Sequence, residues 1–475
     1  MVTAIAGGRG SWMTDNAVLT VGQMRAAEAS AMRNGVEEWE LMRTAGRAAA
    51  AWVARMAAGR SVTILCGPGN NGGDGYVIAE TLRASGHDVK VIAPVAPKGA
   101  VAEKARACFA GTPTHAGRIE TAVVVDCLFG YGLDRRVESP FADLLEELGR
   151  SDAFRIGVDV PSAIASDSGE VLGPLPNYDL TLALGAWKRA HFMMPAMARM
   201  GEKRLVPIGL DIEPSDCVLS KRPHFAAPDP DSHKYRRGLL AIVAGKMPGA
   251  PLLSAKAAMR SGAGYVKLLS DHSHPDAPAE LVVADDPLDR ALADERIDAI
   301  LIGPGLGRDE AASQRLSEAL AAGRPTVLDA DALHLLTRDL LDTRAKIPLI
   351  MTPHEGELSN LCKSFGIESA NKLNTASCLA KSSGAFILAK GPDTVLASPE
   401  GQTMVFPRGS SWLSTAGTGD VLAGLVASRL AHHGDAMQAA EEGVWLHHEA
   451  ARLAGPGFTA GDLADAVRTA MAQLS

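Results

Sequence analysis

The sequence predicts an α/β protein of two domains, each a parallel sheet covered by helices. Short runs rich in Val, Ile and Leu, apolar on both faces, alternate with stretches of helical period in two successive series. A proline- and charge-rich stretch around Glu213–Ser232, without periodicity, separates the series. The 475 residues exceed what one core usually serves, and a composition 47% hydrophobic but 4% aromatic suits layers of Val, Ile, Leu and Ala.

In the first series, Met24, Ala27, Met32, Leu41, Met42 and Ala45 give a helical pattern from Val21 to about Ala58. Strands are expected at Val62–Cys66, Val89–Ala93, Ala122–Cys127, Arg155–Val160 and Asp179–Ala183, with helices at Tyr76–Ser85 and Phe141–Leu148. In the second series, strands are expected at Leu239–Ala244, Tyr265–Leu269, Ala299–Ile302, Thr326–Asp329, Pro348–Met351 and Phe386–Ala389. Helices are expected at Pro251–Ser261 and Glu310–Ala322 and from Asp420 and Ala436, and a hairpin over Thr394–Phe406 turns at Pro399-Glu400-Gly401. The expected boundaries are a disordered tail over 1–15, a first domain over 16–215, a linker over 216–232 and a second domain over 233–475. Met13 is an alternative start.

A net charge of −8 and a pI near 5.9 argue against a nucleic-acid polyanion as partner. No signal peptide and no bilayer-spanning apolar run is evident, so the expected compartment is the cytoplasm, without membrane attachment. The six cysteines show no C-x-x-C spacing, and Cys66 and Cys127 read as small buried hydrophobes in strands.

Two glycine-rich turns ending in aspartate are the chemical signals. Gly67-Pro68-Gly69-Asn70-Asn71-Gly72-Gly73-Asp74-Gly75 follows the first strand. Its loose G-x-G-x-x-G match is weak, but two amides and a carboxylate offer oxygens to a hard cation and hydrogen bonds to a polar ligand. A tight turn is the plain alternative. Asp126 and Asp159 end two further strands, Asp159 preceding Ser162 by three residues, so three polar runs converge where parallel sheets bind ligands. Each aspartate alone could be a cap. Ala416-Gly417-Thr418-Gly419-Asp420 opens a strongly patterned helix, whose amides suit phosphate and whose carboxylate suits chemistry or a cation; an N-cap is the alternative. No P-loop motif occurs.

The first half resembles the epimerase domain of the NAD(P)H-hydrate repair proteins, which interconvert the R and S forms hydrated at C6 of the nicotinamide ring. The resemblance implies a Rossmann-like three-layer αβα domain. In it Asn70, Asn71, Gly72, Gly73 and Asp74, with Gly130, Tyr131, Gly132, Leu133, Asp134, Arg135 and Arg136, line the hydrate site. It further implies that Asp159 contacts or acts on the substrate and that Asn71, Asp126 and Ser162 hold a potassium ion. The chain departs from the family at Tyr131, usually Thr, at Ala163, usually Gly, and at Arg43, often Glu.

The second half resembles the dehydratase of the same family, a ribokinase-like α/β domain. The resemblance rests on Ser261-Gly262-Ala263-Gly264, Gly303-Pro304-Gly305-Leu306-Gly307, Asp329-Ala330-Asp331, Thr352-Pro353-His354-Glu355-Gly356-Glu357, Lys390-Gly391-Pro392-Asp393-Thr394 and the Asp420 motif. It implies that Ala263, Gly305, His354 and Asp420 contact the hydrate, with Asp420 as base, and that Lys390, Gly391, Pro392, Asp393, Thr394 and Gly419 hold the adenine nucleotide. Glu355 or Glu357 would help position magnesium. The Ala244–Ala250 loop is shorter than in many members. Together the halves imply a bifunctional, homo-oligomeric enzyme that epimerises NAD(P)H hydrates, then dehydrates the S form with ADP, giving AMP and phosphate. A ribokinase-like small-molecule kinase with a regulatory first domain, or a first domain that only binds ligand, are the alternatives.

Overall fold

The computed structural model describes residues 16–342, 347–368 and 370–475. The tail expected over 1–15 and the alternative start at Met13 lie outside the described residues. The chain divides into two units, Met1–Leu219 and Ser220–Ser475.

In the first unit the elements run β1 (Val18–Leu19), α1 (Val21–Arg33), α2 (Glu38–Ala57), β2 (Val62–Cys66), α3 (Asn70–Ala84), β3 (Val89–Ile92), α4 (Ala100–Cys108), β4 (Val123–Cys127), α5 (Phe141–Arg150), β5 (Phe154–Val158), β6 (Leu180–Leu184), β7 (Trp187–Lys188), β8 (Glu202–Val206) and β9 (Cys217–Leu219). One sheet has the order β3-β2-β4-β5-β6-β8, parallel throughout. One face buries Ile64, Val125 and Ile156 under Ala49, Val53 and Ile78 of α2 and α3; the other buries Leu65 and Val124 under Leu144, Leu145 and Leu148 of α5. This is the three-layer α/β arrangement the alternation predicts. Strand order reverses between β2 and β4, so a crevice opens beyond their carboxyl ends.

In the first unit two helical stretches depart most from expectation. The single pattern from Val21 to Ala58 is two helices, broken at Asn34-Gly35, where Gly35 has φ +91°. The helix expected from Tyr76 starts at Asn70, because the glycines that suggest a turn are instead a packing face. A Cβ on Gly75 would lie 2.8 Å from Cys66 Sγ and 2.9 Å from Cys127 Cβ, and one on Gly72 would lie 1.9 Å from the Gly67 carbonyl oxygen. Close approach of α3 to the sheet offsets the helix propensity lost at each glycine, about 0.5–1 kcal/mol.

The second unit runs β10 (Leu239–Val243), α6 (Gly249–Ala258), β11 (Tyr265–Leu269), β12 (Val282–Ala284), α7 (Leu288–Leu292), β13 (Ile297–Ile302), α8 (Glu310–Ala321), β14 (Thr326–Leu328), α9 (Asp331–Leu335), α10 (Arg338–Asp342), β15 (Leu349–Met351), α11 (Glu355–Ser364), α12 (Lys372–Ser383), β16 (Phe386–Ala389), β17 (Val395–Ala397), β18 (Thr403–Val405), α13 (Thr418–His433), α14 (Ala436–Ala454) and α15 (Ala460–Leu474). Its strands are ordered β12-β11-β10-β13-β14-β15-β16-β17-β18. They are parallel from β12 to β16, and β17 and β18 form the expected antiparallel hairpin. Here the order reverses at β10 and β13, ahead of the Gly245 and Gly303–Gly307 turns. The stretch after β9 carries Phe225, which is buried, with its N–H on the Leu474 carbonyl and its ring 4.8 Å from the Arg429 guanidinium.

Two candidate active sites

Beyond β2, β4 and β5, the first unit encloses a cavity of about 520 Å³. Asn70, Asn71, Asp74, Gly130, Tyr131, Gly132, Leu133, Asp134, Arg135 and Asp159 all line it, as do Glu28 of α1 and Lys188 of β7. Gly72, Gly73 and Arg136 are not among the lining residues: the two glycines face neighbouring backbone and Met42, and Arg136 is exposed.

Asp159 is the centre of this site. Its φ of +68° places it in the left-handed region, which costs a non-glycine residue about 1–2 kcal/mol. The turn aims the carboxylate at two donors: Lys188 Nζ lies 2.5 Å from Oδ1, and the Tyr131 N–H donates to Oδ2 at 2.8 Å. His191 braces the same turn, its Nε2 donating to the Asp159 carbonyl at 2.8 Å and its Nδ1 accepting the Lys188 N–H at 2.9 Å. Burial, then the Lys188 charge, pushes His191 down to about 4, so it is neutral. Lys188 is fully buried, and Asp159 is its countercharge. Across the cavity mouth the Tyr131 hydroxyl donates to Glu28 Oε2 at 2.7 Å. Burial raises the Glu28 carboxyl above its ordinary range. Burial, reinforced by the Asp159 and Glu28 charges, holds the Asp74 carboxyl well above the usual carboxylate range.

The three residues expected to hold potassium cluster. Asp126 is buried: Oδ1 accepts from the Leu128 N–H and Ser162 Oγ, and Oδ2 from the Ser162 N–H and the Tyr178 hydroxyl. Asn71 Nδ2 donates to the Phe129 carbonyl at 2.9 Å, while its Oδ1 is buried without a hydrogen-bond partner. An orphaned buried amide oxygen fits as one ligand of a hard monovalent cation.

In the second unit α13 begins at Thr418, two residues ahead of expectation, after Gly417 at φ +88° turns the chain into the helix. Asp420 lies in its first turn. Burial, then the Asp329 charge, raises its carboxyl to about 6, with Lys390 opposing. Lys390 Nζ lies 2.5 Å from Asp329 Oδ1, which also accepts the Thr352 hydroxyl at 2.7 Å. A Cβ on Gly419 would sit 3.6 Å from Lys390 Nζ, so Asp420, Gly419, Lys390 and Asp329 share one site. Thr394 Oγ1 donates to the Gly391 carbonyl at 2.7 Å, and buried Asp393 pairs with Lys372.

The α13 helix also holds the segment expected to contact the hydrate. Ser428 Oγ accepts the Ala263 N–H at 3.0 Å, and Arg429 Nη1 donates to the Ser261 carbonyl at 3.2 Å. Arg429 is itself fixed by Glu442 at 2.6 Å. Gly305, at φ +66°, is covered by Met247, whose N–H donates to the Gly305 carbonyl at 3.0 Å. His354 is exposed and caps α11, its Nδ1 accepting from the Gly356 and Glu357 N–H groups. Glu357 is buried and returns the cap by accepting the His354 N–H at 2.8 Å, while Glu355 is exposed. No cluster of three His, Cys, Asp or Glu side chains suited to a metal occurs among the described residues.

Sequence reasoning misses Lys188 and Glu28. A lone lysine in the apolar stretch Leu180–Trp187-Lys188 is the signal for a paired buried charge; Glu28, on a polar helix face, leaves none.

A family model described as NAD(P)H-hydrate dehydratase matches residues 240–472, and one described as YjeF-related protein N-terminus matches residues 38–190. The chain is 36% identical over 472 residues to a bifunctional NAD(P)H-hydrate repair enzyme Nnr of Gloeobacter violaceus, covering 90% of this chain and 91% of that one. It is 32% identical over 475 residues to the enzyme of the same name from Coxiella burnetii, covering 93% and 96%. Among solved structures, an ADP/ATP-dependent NAD(P)H-hydrate dehydratase from Bacillus subtilis, co-crystallised with ATP/Mg2+, aligns at 29% identity and a TM-score of 0.44, covering 53% of this chain and 95% of that one.

Proposed function

The chain belongs to the bifunctional NAD(P)H-hydrate repair enzymes, and from that premise we propose which of its side chains perform the two reactions. The enzyme epimerises NAD(P)H hydrate and dehydrates it to NAD(P)H. The cavity around Asp159 and Lys188 is the epimerase site, and the cluster around Asp420 is the dehydratase site.

For dehydration, the Asp420 carboxylate takes the proton of the C6 hydroxyl of the S-hydrate. The hydroxyl oxygen then bonds to the terminal phosphorus of ADP, and AMP leaves. N–H groups at the start of α13 face the transferring phosphoryl group, where the helix end favours negative charge. Lys390, held by Asp329, neutralises nucleotide phosphate, with Gly391, Pro392, Asp393, Thr394 and Gly419 around the nucleotide. The C6–O bond then breaks with the ring nitrogen supplying electrons, phosphate departs, and loss of a C5 proton restores the dihydropyridine. Hydroxide is a poor leaving group and phosphate a good one, which is why a nucleotide is consumed.

The observation that carries this reading is Asp420 itself: half-buried at a helix start, beside Lys390, and raised to about 6, where a general base works near neutral pH. Because Glu357 is engaged in capping its helix, magnesium is assigned to the nucleotide's phosphates rather than to a protein cage. In the first unit potassium would be held by Asn71, Asp126 and Ser162, supplying fixed positive charge beside the Asp159 turn. The orphaned Asn71 Oδ1 supports that ligand set.

Asp420→Asn is expected to abolish dehydration, read with S-hydrate and ADP by reduced-nicotinamide absorbance, and to leave epimerisation intact, read by chromatographic conversion of separated R-hydrate to S-hydrate. Loss of both activities on a folded variant would sink the two-site assignment.

A further inference from the structure

Of the five carboxyl groups that line the cavity of the first unit, Glu38 and Asp134 are exposed, whereas three, Glu28, Asp74 and Asp159, are at least half-buried and share the cavity with Lys188. Two of them are engaged. Asp159 accepts from Lys188 and the Tyr131 N–H, and Glu28 accepts from the Tyr131 hydroxyl. The Asp74 carboxyl has no hydrogen-bond partner among the described residues, although it stands on α3, most of whose opening turns are buried. The sheet also sets its position relative to Asp159. Asp74 follows β2 and Asp159 follows β5, and β4, whose loop supplies Gly130 and Tyr131, runs between those two strands. The two groups therefore enter the cavity from either side of β4.

A hydrated carbon beside a ring nitrogen inverts when its C–O bond breaks on one face, with the nitrogen supplying electrons, and a new one forms on the other. A proton must be delivered to the leaving oxygen and removed from the arriving one, and a single fixed carboxyl serves only one face. We propose that Asp74 is a second catalytic residue of the epimerase, transferring protons on the face of the nicotinamide ring opposite to that served by Asp159. The proposal rests on the reading of this cavity as the epimerase site.

In one direction the Asp74 carboxyl gives its proton to the C6 hydroxyl. The C6–O bond breaks, water departs, and the ring nitrogen lone pair forms the N1=C6 iminium. A water on the other face then bonds to C6 and passes its proton to the Asp159 carboxylate. The reverse direction exchanges the roles. Each turnover moves one proton between the aspartates, and solvent in the cavity restores the starting state. Asp74 is suited to begin protonated, since burial and the Asp159 and Glu28 charges disfavour its anion while only Lys188 opposes them. Arg25 and Glu38 from α1 and α2, and Asp134 and Arg135 from the loop after β4, are the other charged groups lining the cavity.

The test uses the full-length enzyme with separated R-hydrate and chromatographic measurement of S-hydrate, without nucleotide. Asp74→Asn is expected to lower kcat by about 10²–10⁴-fold, the range for a lost acid–base group, with KM changed less than about threefold. With R-to-S and S-to-R conversion both followed, wild-type kcat in the direction that uses Asp74 as acid is expected to fall as pH rises and Asp74 loses its proton, and that alkaline limb is expected to vanish in Asp74→Asn and to return, with partial activity, in Asp74→Glu. A rise in KM with near-normal kcat, or an alkaline limb that persists in Asp74→Asn, overturns the proposal and leaves Asp74 a binding contact. Urea denaturation of the same preparations reports folding of the first unit, and dehydration of S-hydrate reports that of the second. Should Asp159→Asn epimerise normally, the site assignment itself fails, whatever Asp74 does.

Discussion

Replacing the proposed base of the dehydratase should make the protein more stable as it becomes inactive. Asp420 titrates near 6 in the folded chain against an ordinary value of 3.8, chiefly because it is buried and faces Asp329. A carboxyl whose folded value is raised binds more protons folded than unfolded, so its contribution to stability falls as pH rises from about 4 to 6. Below that window it costs nothing; above it the full cost is about 3 kcal/mol, at about 1.4 kcal/mol per pH unit. Solvent reaching a half-buried group trims this to about 1–3 kcal/mol. Asp420→Asn keeps the shape and removes the charge, so at pH 8 the second unit should gain that amount. The gain should raise its melting temperature by about 2–4 °C for each kcal/mol, and it should shrink by about half at pH 5. Urea or thermal denaturation of both proteins at the two pH values measures it. A variant no more stable than the parent at pH 8, or a gain indifferent to pH, refutes the electrostatic account of the site. Stability held back for the sake of activity is a common pattern at active sites.

Three further outcomes follow from the first unit. Lys188→Met strands the buried Asp159 carboxylate and should destabilise the unit by about 3–5 kcal/mol, with part recovered in the Lys188→Met, Asp159→Asn double variant, measured by urea denaturation. Ala163 has φ +71°, so Ala163→Gly should stabilise the unit by about 0.5–1 kcal/mol, the relieved strain exceeding the added chain entropy; a loss of stability by calorimetry refutes the strain. Epimerisation should be faster in potassium than in an equal concentration of a large organic cation, and Asn71→Leu should erase the difference, because it removes the orphaned oxygen.

Much of this was legible from residues alone, for reasons specific to each element. The buried parallel strands announce themselves as unbroken apolar runs, and the polar residues that follow Cys66, Asp126 and Val158 mark the ligand end of the first sheet. The hairpin over β17 and β18 is visible because Gly401, at φ +99°, closes a short turn between two alternating segments. The start of α3 was not legible, since Gly72, Gly73 and Gly75 have turn-like propensity and only the nearness of Cys66, Cys127 and Met42 makes them helical. Lys188 escaped for the converse reason. A lysine in a β7 of two residues has no periodicity to betray it, and its partner lies 29 positions earlier in the chain. The Thr at the position of Tyr131 in the family leaves no hint of the phenol that here reaches Glu28. The Gly at the position of Ala163 is explained outright by its left-handed backbone.

The helix α13 carries Asp420 in its first turn, while Ser428 and Arg429, further along, grip the Ser261–Ala263 segment. At 1.5 Å per residue the span from Asp420 to Ser428 is about 12 Å of rigid rod. It works as a gauge block, setting the distance between the proposed base and the segment proposed to contact the hydrate. Adding or removing one residue in this span would turn one grip through about 100° relative to the other. Substitutions can tune the second site, but its length is a constant that descent through insertion and deletion has little room to alter.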